Sequence, residues 1–312
     1  RALPKFNLQT PEVREFLLGV AGYWIEQGVD GWRLDVPGEI DDDNFWRDFR
    51  RVVKSRNADA YIVGEIWHEA QRWLQGDQFD AVMNYLLTKA CLGFFVGHGL
   101  NQALTSGAGY APVDPLSAES FAAAIEYLLG LYSTQINQVQ LNLLDSHDTA
   151  RFLTLARGDE SALRLAVLFV MCFPGAPCIY YGDEVGMEGG RDPDCRRSFS
   201  WEAGRWNRDL RDYFKRCIAL RKSHPALRRG EFRTLLAQND LYCFGRRLDG
   251  NTVVCALNTG AGPRPLDIPV EGYLPARTVL HGVWEEGEAR VRVGRLSGLT
   301  LPPRSGVVLV QG

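Results

Sequence analysis

The chain has 312 residues, which is enough for one large domain and one smaller domain. Hydrophobic residues make up 46% and charged residues 23%, an ordinary globular balance. The net charge is −3 and no apolar run approaches the roughly 20 residues of a membrane span, so we expect neither nucleic acid nor a membrane as a partner.

The cysteines indicate a reducing compartment. The seven of them cannot all pair, and none forms a Cys-x-x-Cys motif, which argues against a zinc site and a full disulfide framework. Free thiols predict a cytoplasmic protein. Residue 1 is Arg rather than Met, so we expect the natural N-terminus, with any signal peptide, to be missing.

From residue 12 to about 223, helical and strand patterns alternate. Strands are predicted at 29–36, 61–67, 79–85, 140–148 and 177–186, and the clearest helices at 11–28, 41–55, 160–173 and 206–223. Five strands separated by helices predict a parallel α/β sheet, either a barrel or a doubly wound fold. A Gly-x-Gly-x-x-Gly or Walker A sequence is absent, which weakens a nucleotide-binding interpretation.

The pattern of predicted elements changes after residue 228. Short strand patterns such as "LYCFGRRL" and "SGVVLVQ" are separated by Gly, Pro and Asn turns, which predicts an antiparallel β-domain. We therefore divide the chain into 1–227, an α/β domain, and 228–312, an all-β domain of β-sandwich type.

Three acidic residues stand at the ends of predicted strands: Asp35, Glu65 and Asp148. In a barrel, all three would face the C-terminal rim, where barrel enzymes keep their chemistry. Acids gathered at one rim repel one another, so they indicate metal binding, catalysis or ion pairing.

Metal binding is the first alternative. Catalytic zinc or non-haem iron favours two or three His ligands, and only two of the five histidines lie near the acids. Arg33 precedes Asp35 by two residues and so lies on the same face of its strand. An arginine there repels a metal ion but keeps a carboxylate ionised, so we predict no metal site.

The acids fit the chemistry of a retaining glycosidase, in which one ionised carboxylate attacks the anomeric carbon and a protonated one donates to the leaving oxygen. Asp35 beside Arg33 suits the first role. Glu65 lies in an apolar strand and suits the second, because desolvation raises a carboxyl pKa. His147 and Asp148 could bind sugar hydroxyls, and Trp67 offers a flat face for a sugar ring.

The segments "GVDGWRLDV", "IVGEIWHE" and "LLDSHDTARFL" resemble three signature segments of the α-amylase family of glycoside hydrolases. "ALPKFN" (2–7) and "GGRDPDCRRSFSWE" (189–202) resemble its neopullulanase, cyclomaltodextrinase and maltogenic amylase branch. The resemblance implies a (β/α)8 TIM barrel. It also implies Asp35 as nucleophile, Glu65 as acid/base and Asp148 as transition-state stabiliser.

The resemblance implies further substrate contacts. Arg33 and His147 would contact the three acids directly, and Glu39 and Trp67 would line the acceptor side. Asp192 and Arg196 either bind sugar on the donor side or form a loop ion pair. The substrates implied are cyclodextrins, pullulan or maltooligosaccharides, cleaved at α-1,4 links, with cleavage at α-1,6 links left open. The alternatives are an α-glucosidase for short sugars and a non-catalytic barrel.

The family barrel has eight strands, and this chain opens just before what would be the fourth, so we expect only strands 4–8. We therefore expect the sequence to be part of a longer polypeptide, or to receive the missing half from another chain, and to be inactive alone. No cofactor is expected for the chemistry; calcium is plausible, with its ligands in the missing half. The resemblance also implies a homodimer of the full-length protein.

Overall fold

The computed structural model describes residues 4–284 and 287–311. Five short strands alternate with helices up to residue 229. The strands are β1 (Gly31–Leu34), β2 (Tyr61–Gly64), β3 (Ala81–Val82), β4 (Leu141–Asn142) and β5 (Ala176–Pro177). The helices are α1 (Pro11–Glu26), α2 (Asp43–Arg56), α3 (Tyr85–Cys91), α4 (Gln102–Thr105), α5 (Ala118–Gly130), α6 (Thr134–Asn137), α7 (Phe152–Leu155), α8 (Glu160–Cys172), α9 (Arg208–Ser223) and α10 (Pro225–Arg229).

The five strands pair in chain order, and every pair is parallel. β1 pairs with β2 and β2 with β3, a bridge between Met83 and Leu141 links β3 to β4, and β4 pairs with β5. This confirms the predicted parallel barrel segment. Within the described ranges β1 and β5 are paired on one side only, so the segment has two open edges. No helix in those ranges has the length and apolarity to cross a membrane.

The strands are shorter than the sequence predicts. The predicted strand 79–85 ends at Val82 because Asn84 caps a helix instead, its side chain accepting the Leu87 N–H at 3.2 Å. The strands predicted at 140–148 and 177–186 are likewise reduced to two residues each, β4 and β5. After β3 the chain enters α3, whereas after β4 and β5 it forms loops at the C-terminal ends of the strands, and Asp148 lies in the first of these loops.

The C-terminal part is a β-domain. Its described strands are β6 (Glu231–Gln238), β7 (Leu241–Leu248), β8 (Asn251–Asn258), β9 (Arg264–Pro269), β10 (Val279–Gly282), β11 (Glu288–Arg292), β12 (Arg295–Leu301) and β13 (Ser305–Gln311). They pair antiparallel in the order β6-β7-β8-β13-β10-β11-β12-β9, which confirms the predicted antiparallel class, with all eight strands joined in a single curled sheet. The sequence missed β9 and β12, whose Pro265, Pro269 and Gly298 read as turn residues.

The two parts share a hydrophobic core. Tyr242 and Phe244 of β7 pack against Phe169 of α8, and Tyr242 also contacts Phe121 of α5 at 5.0 Å between ring centres. All four rings are fully buried. The predicted division at 227/228 falls inside α10 and stays a prediction.

A buried arginine ties the two parts together. Arg246 of β7 is fully buried and donates to the carbonyl oxygens of Cys172, Leu227 and Gly230 at 2.5–2.9 Å. These three residues stand at the C-terminus of α8, in α10 and just before β6. Burial lowers the Arg246 pKa to about 10, so the side chain still carries its charge at neutral pH. It is the polar centre of the joint core.

Replacing Arg246 by Met should lower the free energy of unfolding by about 3 kcal/mol or more, because the Cys172 and Gly230 carbonyl groups lose their side-chain donor and only that of Leu227 keeps a second one, from Arg221. Chemical denaturation measures this effect. Arg247→Met is the matched control: that side chain is 44% exposed, its ion pair with Glu231 is long and it binds one carbonyl, that of Tyr273, so its loss should cost about 1 kcal/mol. Equal losses for the two variants would contradict the proposed role of Arg246.

Candidate active site

Arg33 and Asp35 lie at the C-terminal end of β1. Alternation along the strand puts both side chains on one face, as predicted. The Arg33 Nη1 atom donates to Asp35 Oδ1 at 2.6 Å. The Asp35 side chain is 75% exposed, so this carboxylate is oriented by the guanidinium and open to an incoming molecule.

Glu65 follows β2 and is 3% exposed. Its carboxylate accepts the Arg33 Nη2 at 2.9 Å and the Val36 N–H at 3.1 Å. Val36, whose N–H binds Glu65, adopts φ 34°, a left-handed conformation that is costly for a β-branched residue. Burial raises the Glu65 pKa, and the nearby Asp148 charge adds to this, against the opposing effects of the Val36 N–H and Arg33.

One guanidinium therefore holds two carboxyl groups in different environments. Because both nitrogens of Arg33 are bonded to one carbon, the two bound oxygens of Asp35 and Glu65 can be no more than about 8 Å apart. The limit lies within the range of glycosidase carboxyl pairs, about 5 to 9.5 Å. Asp35 is exposed and salt-bridged, whereas Glu65 is buried with a raised pKa.

His147 and Asp148 lie on the loop after β4 and face Glu65. His147 Nε2 is 3.1 Å from Asp148 Oδ2, and donor atoms of these two residues and of Glu65 all lie within 4.8 Å of one another. The three predicted acids are thus at one rim. The cluster could in principle hold a cation, but Arg33 and Arg196 already bind its two carboxylates and would repel one.

Arg196 and Asp192 reach this cluster from the segment 189–202. Arg196 donates to Asp192 through Nε at 2.5 Å and to Asp148 through Nη2 at 2.9 Å. The two residues therefore form the loop ion pair that the sequence allowed. Because that pair also contacts Asp148, it lies next to the acids and remains compatible with sugar binding on the donor side.

Trp67 and Glu39 are placed differently from the residues above. The Trp67 ring stacks on Tyr85, with 3.5 Å between ring centres and 5° between ring planes, so one of its two faces is covered. The Gly109 backbone also packs closely against Trp67, because a Cβ atom added at Gly109 would lie 2.9 Å from the Trp67 side chain. Glu39 forms an ion pair with Lys5 and is 61% exposed. Their predicted acceptor-side roles stay predictions.

Sequence reasoning missed the residues behind the site. Tyr85 is buried, and its hydroxyl lies 2.9 Å from Ser146 Oγ, which accepts the Asp148 N–H at 3.2 Å. Tyr85 thus connects the Trp67 ring to the loop of Asp148. Tyr85 was missed because the strand predicted at 79–85 included it, whereas it begins α3. No sequence pattern indicated a role for Arg151, which is fully buried beneath the rim.

The fold and the site define a protein of the (β/α)-barrel class, with its polar residues at the C-terminal rim of parallel strands. The model of the α-amylase catalytic domain matches residues 1–230, and that of the neopullulanase-like C-terminal domain matches residues 232–309. The chain belongs to the α-amylase family. This confirms the family resemblance, including the neopullulanase branch. The segment 2–7, which also suggested that branch, lies partly outside the described residues.

Among relatives, neopullulanase 2 of Thermoactinomyces vulgaris is 45% identical over all of this chain and 50% of its own length. A cyclomaltodextrinase from a Bacillus species is 47% identical over 82% of this chain and 43% of its own length. The native structure of the Nostoc punctiforme debranching enzyme superposes with a TM-score of 0.92 at 43% identity, over 98% of this chain and 63% of that one. The chain spans about half the length of the curated relatives it matches.

Proposed function

We propose that the intact protein is a retaining glycoside hydrolase and transglycosylase that cleaves α-1,4, and also α-1,6, glucosidic bonds. One observation carries the proposal: Arg33 binds an exposed Asp35 and a buried Glu65 at the same time. The relatives named neopullulanase and cyclomaltodextrinase support cyclodextrins, pullulan and maltooligosaccharides as substrates.

The proposed reaction has two steps. Asp35 attacks the anomeric carbon while Glu65 gives its proton to the leaving glucosidic oxygen, so that bond breaks and a covalent glycosyl ester forms. Glu65, now ionised, then takes a proton from water, whose oxygen displaces Asp35 and restores both groups. A sugar hydroxyl in place of water gives transglycosylation. Asp148 and His147 bind ring hydroxyls and stabilise the positive charge that develops on the sugar.

The electrostatics of the site support this division of roles. Arg33 orients the exposed Asp35 carboxylate through a hydrogen bond, as a nucleophile requires. Burial and the Asp148 charge favour the protonated form of Glu65, as a general acid requires. After the first step, the Val36 N–H and Arg33 stabilise the Glu65 carboxylate that forms. The reaction as written needs no cofactor.

The direct test is to incubate the intact protein with β-cyclodextrin and to follow the products and their anomeric form. Release of linear maltooligosaccharides as α-anomers is expected, because two displacements retain configuration. β-Anomers would exclude the covalent route through Asp35. Hydrolysis of maltose with no action on β-cyclodextrin or pullulan would favour an α-glucosidase, and the absence of all turnover a non-catalytic barrel.

We also propose a homodimer in the cytoplasm. The compartment is supported by the seven cysteines, all of which are free thiols and six of which are buried. The homodimer is supported by the family resemblance. Sedimentation of the intact protein tests the second point, and a monomer at all concentrations would contradict it.

The pH dependence of activity should report Glu65. Activity falls as pH rises through the pKa of a general acid. Arg33 favours the ionised form of Glu65, so Arg33→Gln should raise the Glu65 pKa and move the alkaline limb of kcat/KM to higher pH, besides lowering the rate. Arg47→Gln, which removes an exposed ion pair with Asp77, is the control and should leave the limb in place. A shift to lower pH in Arg33→Gln would contradict the assignment.

A further inference from the structure

A second cluster of charged residues lies beneath the rim and has no part in the mechanism above. It consists of Asp145, Arg151 and Asp183, which are 2%, 0% and 7% exposed. Burying three ionisable groups is costly unless they are paired and hydrogen-bonded. The contacts of the cluster show what it holds in place.

Arg151 connects three segments of the rim. It starts from the loop after β4 and donates through Nη1 to Asp183 Oδ1 at 2.9 Å and to the Tyr181 carbonyl at 2.8 Å, both after β5. Through Nε it donates to the Cys195 carbonyl at 3.1 Å. Its guanidinium carbon also lies 4.4 Å from the Tyr180 ring centre. One planar group is thus fixed from several directions.

The connected segments carry the proposed substrate contacts. The loop after β4 holds His147 and Asp148, and Arg196 lies next to Cys195 on the other segment. The Cys195 thiol also reaches the His147 carbonyl at 3.2 Å. A shift of Arg151 would therefore change the distance between Asp148 and Arg196, which are hydrogen-bonded at 2.9 Å.

Burial raises the pKa of both Asp145 and Asp183, and the two carboxyl groups are close enough that each also affects the pKa of the other. Asp145 Oδ2 accepts the Phe152 N–H at 2.6 Å, while among the described residues Oδ1 has no N–H or hydroxyl donor. Two neighbouring buried carboxylates repel each other, and Arg151 neutralises only one of the two charges. One proton shared by the pair would give Oδ1 its missing donor and remove the second charge.

The surroundings agree with a shared proton. Burial raises the Asp183 pKa well above its ordinary value, and the Asp145 charge adds to this. Besides Arg151, the titratable groups that face the pair are Tyr110 and Cys178, and burial raises the pKa of both, so they remain neutral. The cluster then carries one positive and one negative charge.

We propose that Arg151 is a positioning residue, which fixes the loop of His147 and Asp148 to the segment of Asp192 and Arg196, and that Asp183 holds Arg151 while sharing one proton with Asp145. The importance of this for catalysis rests on the proposed glycosidase function. The positioning itself does not, and it is measurable without substrate.

Hydrogen exchange of the intact protein, followed by mass spectrometry, tests the positioning. Arg151→Lys keeps the charge but replaces the planar guanidinium by a single ammonium group, which cannot occupy the Nε and Nη1 positions at once. Exchange should therefore become at least tenfold faster in both 145–152 and 189–197. Arg221→Lys is the matched control. It also removes a partly buried arginine that binds several carbonyl groups, those of Met171, Phe173, Gly175 and Leu227, but none in these segments. Faster exchange in only one segment, or the same change in the control, would overturn the proposal.

The shared proton is tested with Asp183→Asn, in which a neutral amide of similar shape replaces the buried acid. The amide supplies an N–H to Asp145 and a carbonyl to Arg151, so exchange in both segments should stay within threefold of the parent. In the folded parent Asp183 keeps its proton, whereas in the unfolded chain it loses the proton above about pH 3.8. The free energy of unfolding of the parent therefore falls as pH rises above that value. The stability of Asp183→Asn relative to the parent should therefore increase with pH; a decrease would mean that Asp183 is an ordinary ionised partner of Arg151.

Activity adds a separate readout. If the intact parent cleaves β-cyclodextrin, Arg151→Lys should lower kcat/KM at least tenfold, and Asp183→Asn should retain most of it at neutral pH. If the parent cleaves no glucan, the proposed function fails, while the exchange and stability measurements still decide the role of Arg151. The two failures are thus distinguishable.

Discussion

Glu65→Gln should lower kcat/KM for β-cyclodextrin by about 10³-fold, because the leaving sugar oxygen then receives no proton. A nitrophenyl α-maltoside needs little protonation to leave, so its first step should persist in the variant. The second step still lacks a base, so we expect a burst of nitrophenol followed by slow turnover. Added azide, an anion that needs no base, should restore the turnover.

The control for this variant is Glu69→Gln, which changes an exposed acid four residues further along the chain. It should leave both substrates unaffected. Circular dichroism and thermal unfolding verify that both variants are folded. Turnover of β-cyclodextrin by Glu65→Gln at the parental rate would remove Glu65 from the acid/base role.

Asp35→Asn should abolish both reactions, with a loss on the order of 10⁴-fold or more, because no glycosyl ester can form whatever the leaving group. Neither a burst of nitrophenol nor azide-stimulated turnover by the double-displacement route is expected. Comparing the two variants thus separates nucleophile from acid, since only the acid variant depends on the leaving group.

Asp41→Asn is the matched control for Asp35→Asn. Asp41 is 83% exposed and pairs with Arg72 on the outside of the segment, so kcat/KM should be unchanged. A nitrophenol burst in Asp35→Asn would show that another group attacks the sugar. Equal loss in the two controls would point to destabilisation of the fold rather than to chemistry.

The strands and helices could be predicted from the sequence to different degrees. α8 was found to within one residue, because its apolar run is long and Asp159 marks its start. β3 and β4 were found at the right places but were predicted too long, and β5 overlaps its predicted range, 177–186, only at Pro177. Apolar residues continue past the strand ends into buried loops, and hydrophobicity alone does not distinguish the two.

The site could be predicted in part. Asp35, Glu65 and Asp148 were brought together by one rule, that parallel strands end at one rim, and the pairing of Arg33 with Asp35 followed from strand alternation. That Arg33 also binds Glu65 was implied only by the family resemblance, not by the pattern of either strand. It depends on the register in which Arg33 lies opposite Val63, which places Glu65 two residues beyond Val63 on the neighbouring strand.

The parallel class of the first half, the antiparallel class of the second, the three acidic residues and the family could all be predicted from the sequence. Each of them depends on local residue patterns and on the order of motifs along the chain. The folded structure alone reveals that Trp67 is covered by Tyr85, that Arg246 joins the two halves, and that Asp183 pairs with Arg151. Each of these contacts joins residues far apart in the chain. Its energy depends on burial and distance, which no short stretch of sequence specifies.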